Sequence, residues 1–129
     1  MAGAGTAGAA SSVSARASAI CNAQLRTWDG TDVFALSPNE VLRMAKALSV
    51  TELRLRRALP AAAVADTHGL RMALRRSAHR GRVYSRAYRA DPTDGSLPQE
   101  AAYENSLQDL GRAARHAHLR ACYIRIATP

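Results

Sequence analysis

The stretch THGLRMALRRSAHRGRVYSRAYRA, residues 67–90, sets the architecture of this chain. Its apolar and small residues recur at alternating intervals of four and three positions, which is the spacing of a helical seam. The members of this stripe are Leu70, Leu74, Ser77, Gly81, Tyr84 and Tyr88. We therefore predict a long helix from about His68 to Arg89, capped by Thr67, in which Gly81 marks a bend or a close contact.

Two capping boxes predict helical structure upstream of this seam. Ser37-Pro38-Asn39-Glu40 combines a capping serine, a proline at the first helical position and a glutamate at the third. Ser49-Val50-Thr51-Glu52 repeats the pattern and opens a segment that must stop before Pro60. The two boxes predict either a pair of short helices or one bent helix.

A further helix is predicted downstream. Residues 91–95 have the composition of a turn, and the capping pattern at 96–99 predicts a helix from about 98 to 125. Its stripe consists of Tyr103, Leu107, Leu110, Ala114, Ala117, Ala121 and Ile124. We expect this helix and the one at 68–89 to pack as a long antiparallel hairpin. Period-two alternation is confined to residues 123–126, so the predicted fold is an all-α small helical subunit.

The N-terminal part has a different composition. Residues 1–28 are rich in Ala, Gly and Ser, with no acid before Asp29. This composition is typical of an organellar transit peptide and equally of a flexible tail, and both interpretations stay open. We predict an extended anchor over 1–36 that lies along a partner, followed by a helical domain over 37–129. Because alanine offers little apolar area, we also expect a partner to complete the helical core.

Composition excludes several classes of protein. The chain has 129 residues and a formal charge of +8, which indicates one small domain with anionic partners. Its apolar runs are far shorter than the roughly 20 residues that cross a bilayer, so we predict no transmembrane span. Two cysteines, Cys21 and Cys122, cannot form the disulfide framework of a small secreted scaffold.

We predict no catalytic residue, no metal site and no cofactor, and hence not an enzyme. His118 and Cys122 are spaced for one helical face, but His116 points elsewhere and zinc normally needs three or four ligands. A Cys–His nucleophile would need an orienting group, and no Asn, Asp or Gly-rich turn stands beside the pair. We interpret them as a polar-face histidine and a cysteine at the edge of the seam.

Arginines are the strongest functional signal. Seven of them lie between residues 71 and 89 with no acid among them. Five fall largely on one broad helical face and are the predicted partner-binding residues: Arg71, Arg75, Arg82, Arg86 and Arg89. Guanidinium groups bind carboxylates and phosphates, so the candidate partners are an acidic protein, anionic lipid head groups or RNA.

Short motifs carry a family resemblance over residues 52–103. Residues 52–60, ELRLRRALP, resemble the helix that ends in an Arg-Arg-Leu-Pro turn in the ubiquinol–cytochrome c reductase binding protein family, subunit 7 of the mitochondrial cytochrome bc1 complex. Arg71-Met72 matches the start of the family's Arg-rich helix, and Leu97-Pro98 matches a later helix start. Ala58 departs from the pattern by interrupting the Arg-Leu-Pro run, and the family's tryptophan after the second Leu-Pro is absent.

The resemblance implies a non-catalytic accessory subunit of a respiratory complex, on the matrix side of the mitochondrial inner membrane. Such a subunit supports assembly and stability by contacting other subunits, and it binds no cofactor. The alternative from the residues is a mitochondrial ribosomal protein that contacts rRNA through the Arg-rich helix. A third candidate is a Leu-Tyr-Arg-type adaptor of acyl carrier protein, for which residues 53–56 are the nearest match to the motif.

Overall fold

The structure is a computed structural model that describes residues 2–92 and 97–127, with side chains from Ser12 onward. The α-helices of these ranges are α1 (Ala2–Leu25), α2 (Pro38–Ala58), α3 (Ala61–Asp66), α4 (His68–Ala90) and α5 (Pro98–His116). Short 3-10 turns lie at Arg26–Trp28, Val33–Ala35 and Arg120–Cys122. The described residues contain one isolated β-bridge and no strand, which confirms the all-α prediction.

Helix α4 is central and packs antiparallel to both α2 and α5. The Ser85 hydroxyl donates to the carbonyl of Pro38 at 2.8 Å, at the start of α2. On the other side, the Ser77 hydroxyl donates to the carbonyl of Ser106 at 3.0 Å. The predicted stripe is the buried face of α4, with only Tyr88 half-buried. The hairpin of α4 and α5 has the predicted antiparallel orientation.

One of the two capping boxes begins a helix and the other does not. At Ser37, the backbone N–H of Glu40 donates to the serine hydroxyl at 3.2 Å, and the Ser37 N–H donates to the Glu40 carboxylate at 3.0 Å. Helix α2 then runs straight through residues 49–52 and ends before Pro60. The Thr51 hydroxyl donates to the carbonyl of Ala47 at 2.7 Å, which is a mid-helix bond, so the alternative of two short helices is wrong and a single helix spans both boxes.

The N-terminal segment is helical rather than extended, which corrects the predicted anchor over 1–36. Alanine has the highest helix propensity, so this composition also favours a helix once a surface holds it. In α1, Ala17, Cys21 and Leu25 are buried at spacings of four residues. They face α2 and the last 3-10 turn. The segment therefore packs against its own chain.

The described residues form one core of their own, and the expectation that a partner completes it stays a prediction. Tyr84 and Tyr103 are fully buried between α4 and α5 and supply the bulk that alanine lacks. Among the described side chains, Phe34 and Leu42 are the large hydrophobic groups left exposed. No helix in this part of the chain has the length and apolarity of a membrane span.

Helix α5 ends well before the predicted residue 125. His118 adopts a left-handed φ of 57°. Its N–H donates to the carbonyl of Arg115 at 3.1 Å, and the N–H of Leu119 donates to that of Ala114 at 2.9 Å. This is a Schellman motif, which terminates a helix by satisfying its last carbonyls. The periodic alanines that follow are therefore outside the helix.

The chain beyond α5 returns to the loop between α1 and α2. The N–H of Ala127 donates to the carbonyl of Thr31 at 2.9 Å, next to the bridge between Thr31 and Ile126. The Arg125 guanidinium lies 2.9 Å from the Asp29 carboxylate, and its hydrogen bond holds the pKa of Asp29 below its usual value. These contacts hold the C-terminal segment of the described chain against the loop between α1 and α2.

Residues 93–96 lie outside the described residues, so most of the predicted turn and the predicted cap Ser96 receive no structural account. Helix α5 nonetheless begins at Pro98, as predicted. Thr67 precedes α4 as predicted, but its hydroxyl donates to the carbonyl of Ala63 at 2.8 Å and so closes α3 instead of capping α4.

Candidate functional site

The exposed arginines of α4 form a stripe beside α2. Four of the five predicted partner-binding residues are exposed: Arg75, Arg82, Arg86 and Arg89. Their positions follow from the seam, because the face that buries Leu74, Ser77 and Gly81 leaves these arginines on the edge next to α2. The packing of α4 therefore determines which guanidinium groups reach solvent.

Arg71 is the exception among the five predicted residues. Its side chain is 8% exposed, and its Nη1 atom lies 3.7 Å from the carboxylate of Glu52 on α2. The Nη2 atom donates to the carbonyl of Val64 at 2.9 Å. Arg71 therefore joins α2, α3 and α4 from inside, and the structure corrects its assignment to the partner-binding face.

Helix α2 supplies the second wall of a basic groove. Toward the C-terminal end of α2, a cavity of about 530 Å³ opens to solvent between the two helices. Its lining residues are Ser49, Glu52, Leu53, Arg56, Arg75, Arg76, His79 and Arg82. Arg56 and Arg76 thus join the site, although the sequence prediction did not include them. Arg56 lies on a different helix, and only the pairing of α2 with α4 brings it there.

The groove continues toward the N-terminal end of α2. A neighbouring cavity of about 370 Å³ is lined by Leu42, Arg43, Lys46, Ser49 and Arg82. Ser49 and Arg82 border both cavities, and the Arg82 Nη1 atom donates to the Ser49 hydroxyl at 3.2 Å. We call the two cavities together the α2/α4 groove. Beyond it, Arg89 donates a hydrogen bond to the Asn39 side chain and extends the basic stripe to the start of α2.

Positive charge in the α2/α4 groove is largely uncompensated. Among the described residues that line it, Glu52 is the only acid, and this carboxylate already lies 3.7 Å from Arg56 and from Arg71. Within the described side chains, no ion pair reaches Arg75, Arg76 or Arg82. The groove therefore has a net positive charge and room for an anionic group.

A second groove shows that arginine alone does not define the site. A cavity of about 440 Å³ beside α5 includes Arg112, Arg115 and Arg125 in its lining. Arg112 pairs with Asp109 and Arg125 with Asp29. The Arg115 guanidinium stands 5.9 Å from the centre of the Tyr123 ring. Each of these cations is engaged within the chain, so the α2/α4 groove is the better candidate.

Tyr, Phe and Trp side chains do not line the described part of the α2/α4 groove, whose ring-bearing residue is His79. Tyr84 is buried, its hydroxyl donates to Glu100 at 2.7 Å, and burial raises the pKa of this phenol above its usual value. Tyr88 meets Tyr84 edge-on at a centroid distance of 5.7 Å. Although Arg and Tyr alternate in the sequence, the arginines lie on the exposed edge of α4 and the tyrosines lie on its core side. The ring that lines this groove is the exposed imidazole of His79, so the described lining offers little aromatic surface for base stacking.

The two cysteines form a disulfide, which the sequence analysis missed. Cys21 of α1 and Cys122 of the last 3-10 turn are bonded, and both are fully buried. The even cysteine count was the available signal, but the residues lie 101 positions apart. Cys122 is consequently neither a thiol nucleophile nor a metal ligand. His118 is exposed at the end of α5, and no cluster of metal-ligating side chains occurs in the described part of the chain.

Comparison of the chain with protein-family models, with curated proteins and with solved structures finds no match. The resemblance to the subunit 7 family thus stays a prediction from short motifs. The α2/α4 groove is the feature of the described structure that points to a function.

Proposed function

We propose that this protein is a non-catalytic accessory subunit that joins a larger assembly by binding an acidic protein surface in the α2/α4 groove. The observation that carries the proposal is the group of arginines without an ion pair in the described residues, Arg75, Arg76 and Arg82, with a single acid among the described lining residues. Unpaired cations in a groove attract a complementary surface and orient it. The single core of the described residues supports a self-contained subunit.

A protein partner fits the groove better than RNA. RNA recognition combines phosphate contacts with stacking of bases on aromatic rings or guanidinium planes, and the described lining offers His79 and arginines for this but no Tyr, Phe or Trp. Here the tyrosines of α4 lie on its core side, while Leu42 is 41% exposed beside Arg82. A leucine among arginines is typical of a protein interface, which combines an apolar centre with a polar rim.

The resemblance extends this proposal to a respiratory complex of the mitochondrial inner membrane, most closely the cytochrome bc1 complex. It implies the matrix side. The disulfide of Cys21 and Cys122 favours the other side, because disulfides persist in oxidising compartments and are rare where thiols are kept reduced. We therefore propose the inner membrane as the location, with the oxidising face preferred.

The test is co-sedimentation of the tagged full-length chain from a detergent extract, with mass spectrometry of its companions. We compare a groove variant, Arg75→Glu with Arg82→Glu, against a control variant, Arg54→Glu with Arg80→Glu. The control changes the net charge equally and uses exposed residues of α2 and α4 that do not line the groove. We expect the groove variant to sediment alone and the control to stay with protein companions.

Nuclease treatment of the same extract separates the two macromolecular partners. We expect the association to survive nuclease and to weaken with added salt, since exposed charges are screened. Release by nuclease would establish the ribosomal alternative instead. Retention of the groove variant in the assembly would refute the role of the groove.

A further inference from the structure

We infer that the α2/α4 groove accepts an acidic amphipathic helix from the partner, with Leu42 and Leu53 as its apolar contacts. This inference rests on the proposed function, since it specifies what the acidic surface presents. It starts from the two leucines of the groove lining. Leu42 is 41% exposed, and Leu53 is half-buried.

The spacing of the two leucines matches a helical ligand. They lie 11 residues apart on α2, which is close to a whole number of turns, so both face the same side of the helix. At about 1.5 Å per residue, they are separated by about 16 Å along the axis. A ligand helix lying in the groove would need apolar residues over about three turns to contact both.

Charge complementarity defines the flanks of the ligand. Two rows of basic side chains border the leucines: Arg43 and Lys46 lie on the outer side of α2, and Arg56 lies on the side of α4 together with Arg75, Arg76 and Arg82. An amphipathic helix with Asp or Glu on both edges of its apolar stripe can meet both rows. When an amphipathic helix binds in a groove of this kind, its contacts are made by anchor residues that recur at helical spacing.

A nucleic acid or a free phosphate fits less well. Either ligand would use the guanidinium groups but would leave Leu42 without a function and still exposed. The cavity of about 370 Å³ at Leu42 is bordered by both apolar and basic side chains, and this combination matches an amphipathic ligand surface. The helix hypothesis is therefore the one that accounts for both halves of the groove.

The experiment measures binding of a fluorescent synthetic peptide to the full-length chain by anisotropy. The probe is a helix of about 18 residues made of Ala, Glu and Leu, long enough to hold helical structure, with leucines on one face and glutamates at its edges. An isomer of identical composition carries its leucines around the whole helix. We expect the amphipathic peptide to bind at least about tenfold more tightly than the isomer.

Matched variants assign the binding to the groove. Leu42→Ser should weaken binding of the amphipathic peptide about tenfold, whereas Phe34→Ser should leave it within about twofold. Phe34 is a suitable control because it is 43% exposed and does not line the groove. Arg75→Glu with Arg82→Glu should abolish binding, and circular dichroism should show that each variant remains helical.

The outcomes separate this inference from the proposed function. Equal binding of the two peptides, or equal effects of Leu42→Ser and Phe34→Ser, overturns the helix inference. If the peptide result is negative but the groove variant is lost from the native assembly, the proposed function stands and the acidic ligand is not a helix. If the groove variant stays in the native assembly, the proposed function fails whatever the peptides do.

Discussion

Substitution of Gly81 by alanine tests how tightly α2, α4 and α5 pack at their common crossing. A Cβ added at Gly81 would lie 2.9 Å from the Cβ of Ala45 on α2 and 3.0 Å from the ring of Tyr103 on α5. Both neighbours are fully buried. Since the Ala45 Cβ is fixed to the backbone of α2, relief of the contact requires the helices to move apart.

Two opposing effects set the magnitude. Alanine is favoured over glycine inside a helix by about 1 kcal/mol, which would stabilise the variant. Overpacking of a close-packed core costs about 1–3 kcal/mol. The sum predicts a loss of up to about 2 kcal/mol for Gly81→Ala. A change of that size lowers the melting temperature of a chain of this length by several degrees.

Gly69→Ala is the matched control on the same helix. Gly69 has no heavy atom within 4 Å of the position that its Cβ would take, so the propensity gain is unopposed there. Urea unfolding followed by circular dichroism should give a lower free energy of unfolding for Gly81→Ala and an unchanged or higher one for Gly69→Ala. If Gly81→Ala proved as stable as Gly69→Ala, the crossing would not be tightly packed and the reasoning would fail.

A double-mutant cycle locates the clash. Ala45→Gly removes the facing Cβ, so in the double variant the added methyl at Gly81 has space on the α2 side and retains its contact with the Tyr103 ring. We expect the effects of Ala45→Gly and Gly81→Ala to be less than additive, with the methyl at Gly81 costing less once Ala45 is glycine. The same crossing holds the walls of the groove, because Arg82 follows Gly81 directly. Gly81→Ala should therefore also weaken peptide binding.

Two further predictions concern the disulfide and the buried phenols. Cys21→Ala with Cys122→Ala should lower the free energy of unfolding by about 2–5 kcal/mol, because the bond closes a long loop in the unfolded chain. If neither this double substitution nor added reductant changed the unfolding midpoint, the result would contradict the presence of the bond. Burial raises the pKa of Tyr84 and of Tyr103, so both phenols stay neutral in the fold while the unfolded chain ionises above about pH 10. The contribution of these two phenols to the free energy of unfolding should therefore be fully present below about pH 10 and decrease as the pH rises above it. The tyrosinate absorbance of the two groups should rise only on unfolding. Titration of both phenols in the native state at their ordinary pKa would contradict this prediction.

The seam of α4 could be predicted because one helix determines it. Spacing alone identifies Leu74, Ser77 and Gly81 as a face, and the structure buries that face. The capping box at Ser37 is equally local, since both of its hydrogen bonds join residues three positions apart. Predictions of this kind depend on contacts within a few residues, which the sequence displays directly.

The pattern at residues 49–52 does not begin a helix, because its side chains make tertiary contacts instead of capping. Ser49 accepts a hydrogen bond from Arg82, and Glu52 lies beside Arg71. Both contacts bridge α2 and α4, so the residues that resemble a helix start instead hold two helices together. The burial of Arg71 has the same origin: its position on α4 is predictable, but Glu52 lies on another helix.

The end of α5 and the disulfide were missed for related reasons. Apolar spacing continues past residue 116, yet His118 adopts a left-handed conformation that favours glycine and ends the helix. That turn directs Cys122 back toward Cys21 on α1. A single non-glycine cap thus decides the path of the whole C-terminal segment, and residue spacing contains no signal for it.

The arginines of α4 repel one another and lower the stability of the helix, which folding alone does not explain. Like charges four residues apart on a helix are unfavourable by about 0.2–0.5 kcal/mol per pair. Arg76 and Arg80 form one such pair and Arg82 and Arg86 another, and α4 contains no acid to offset them. Elsewhere the chain places Asp29 and Asp109 beside its arginines. Local features that oppose stability are expected at functional sites, and one member of each pair, Arg76 and Arg82, lines the groove in which we propose the partner helix.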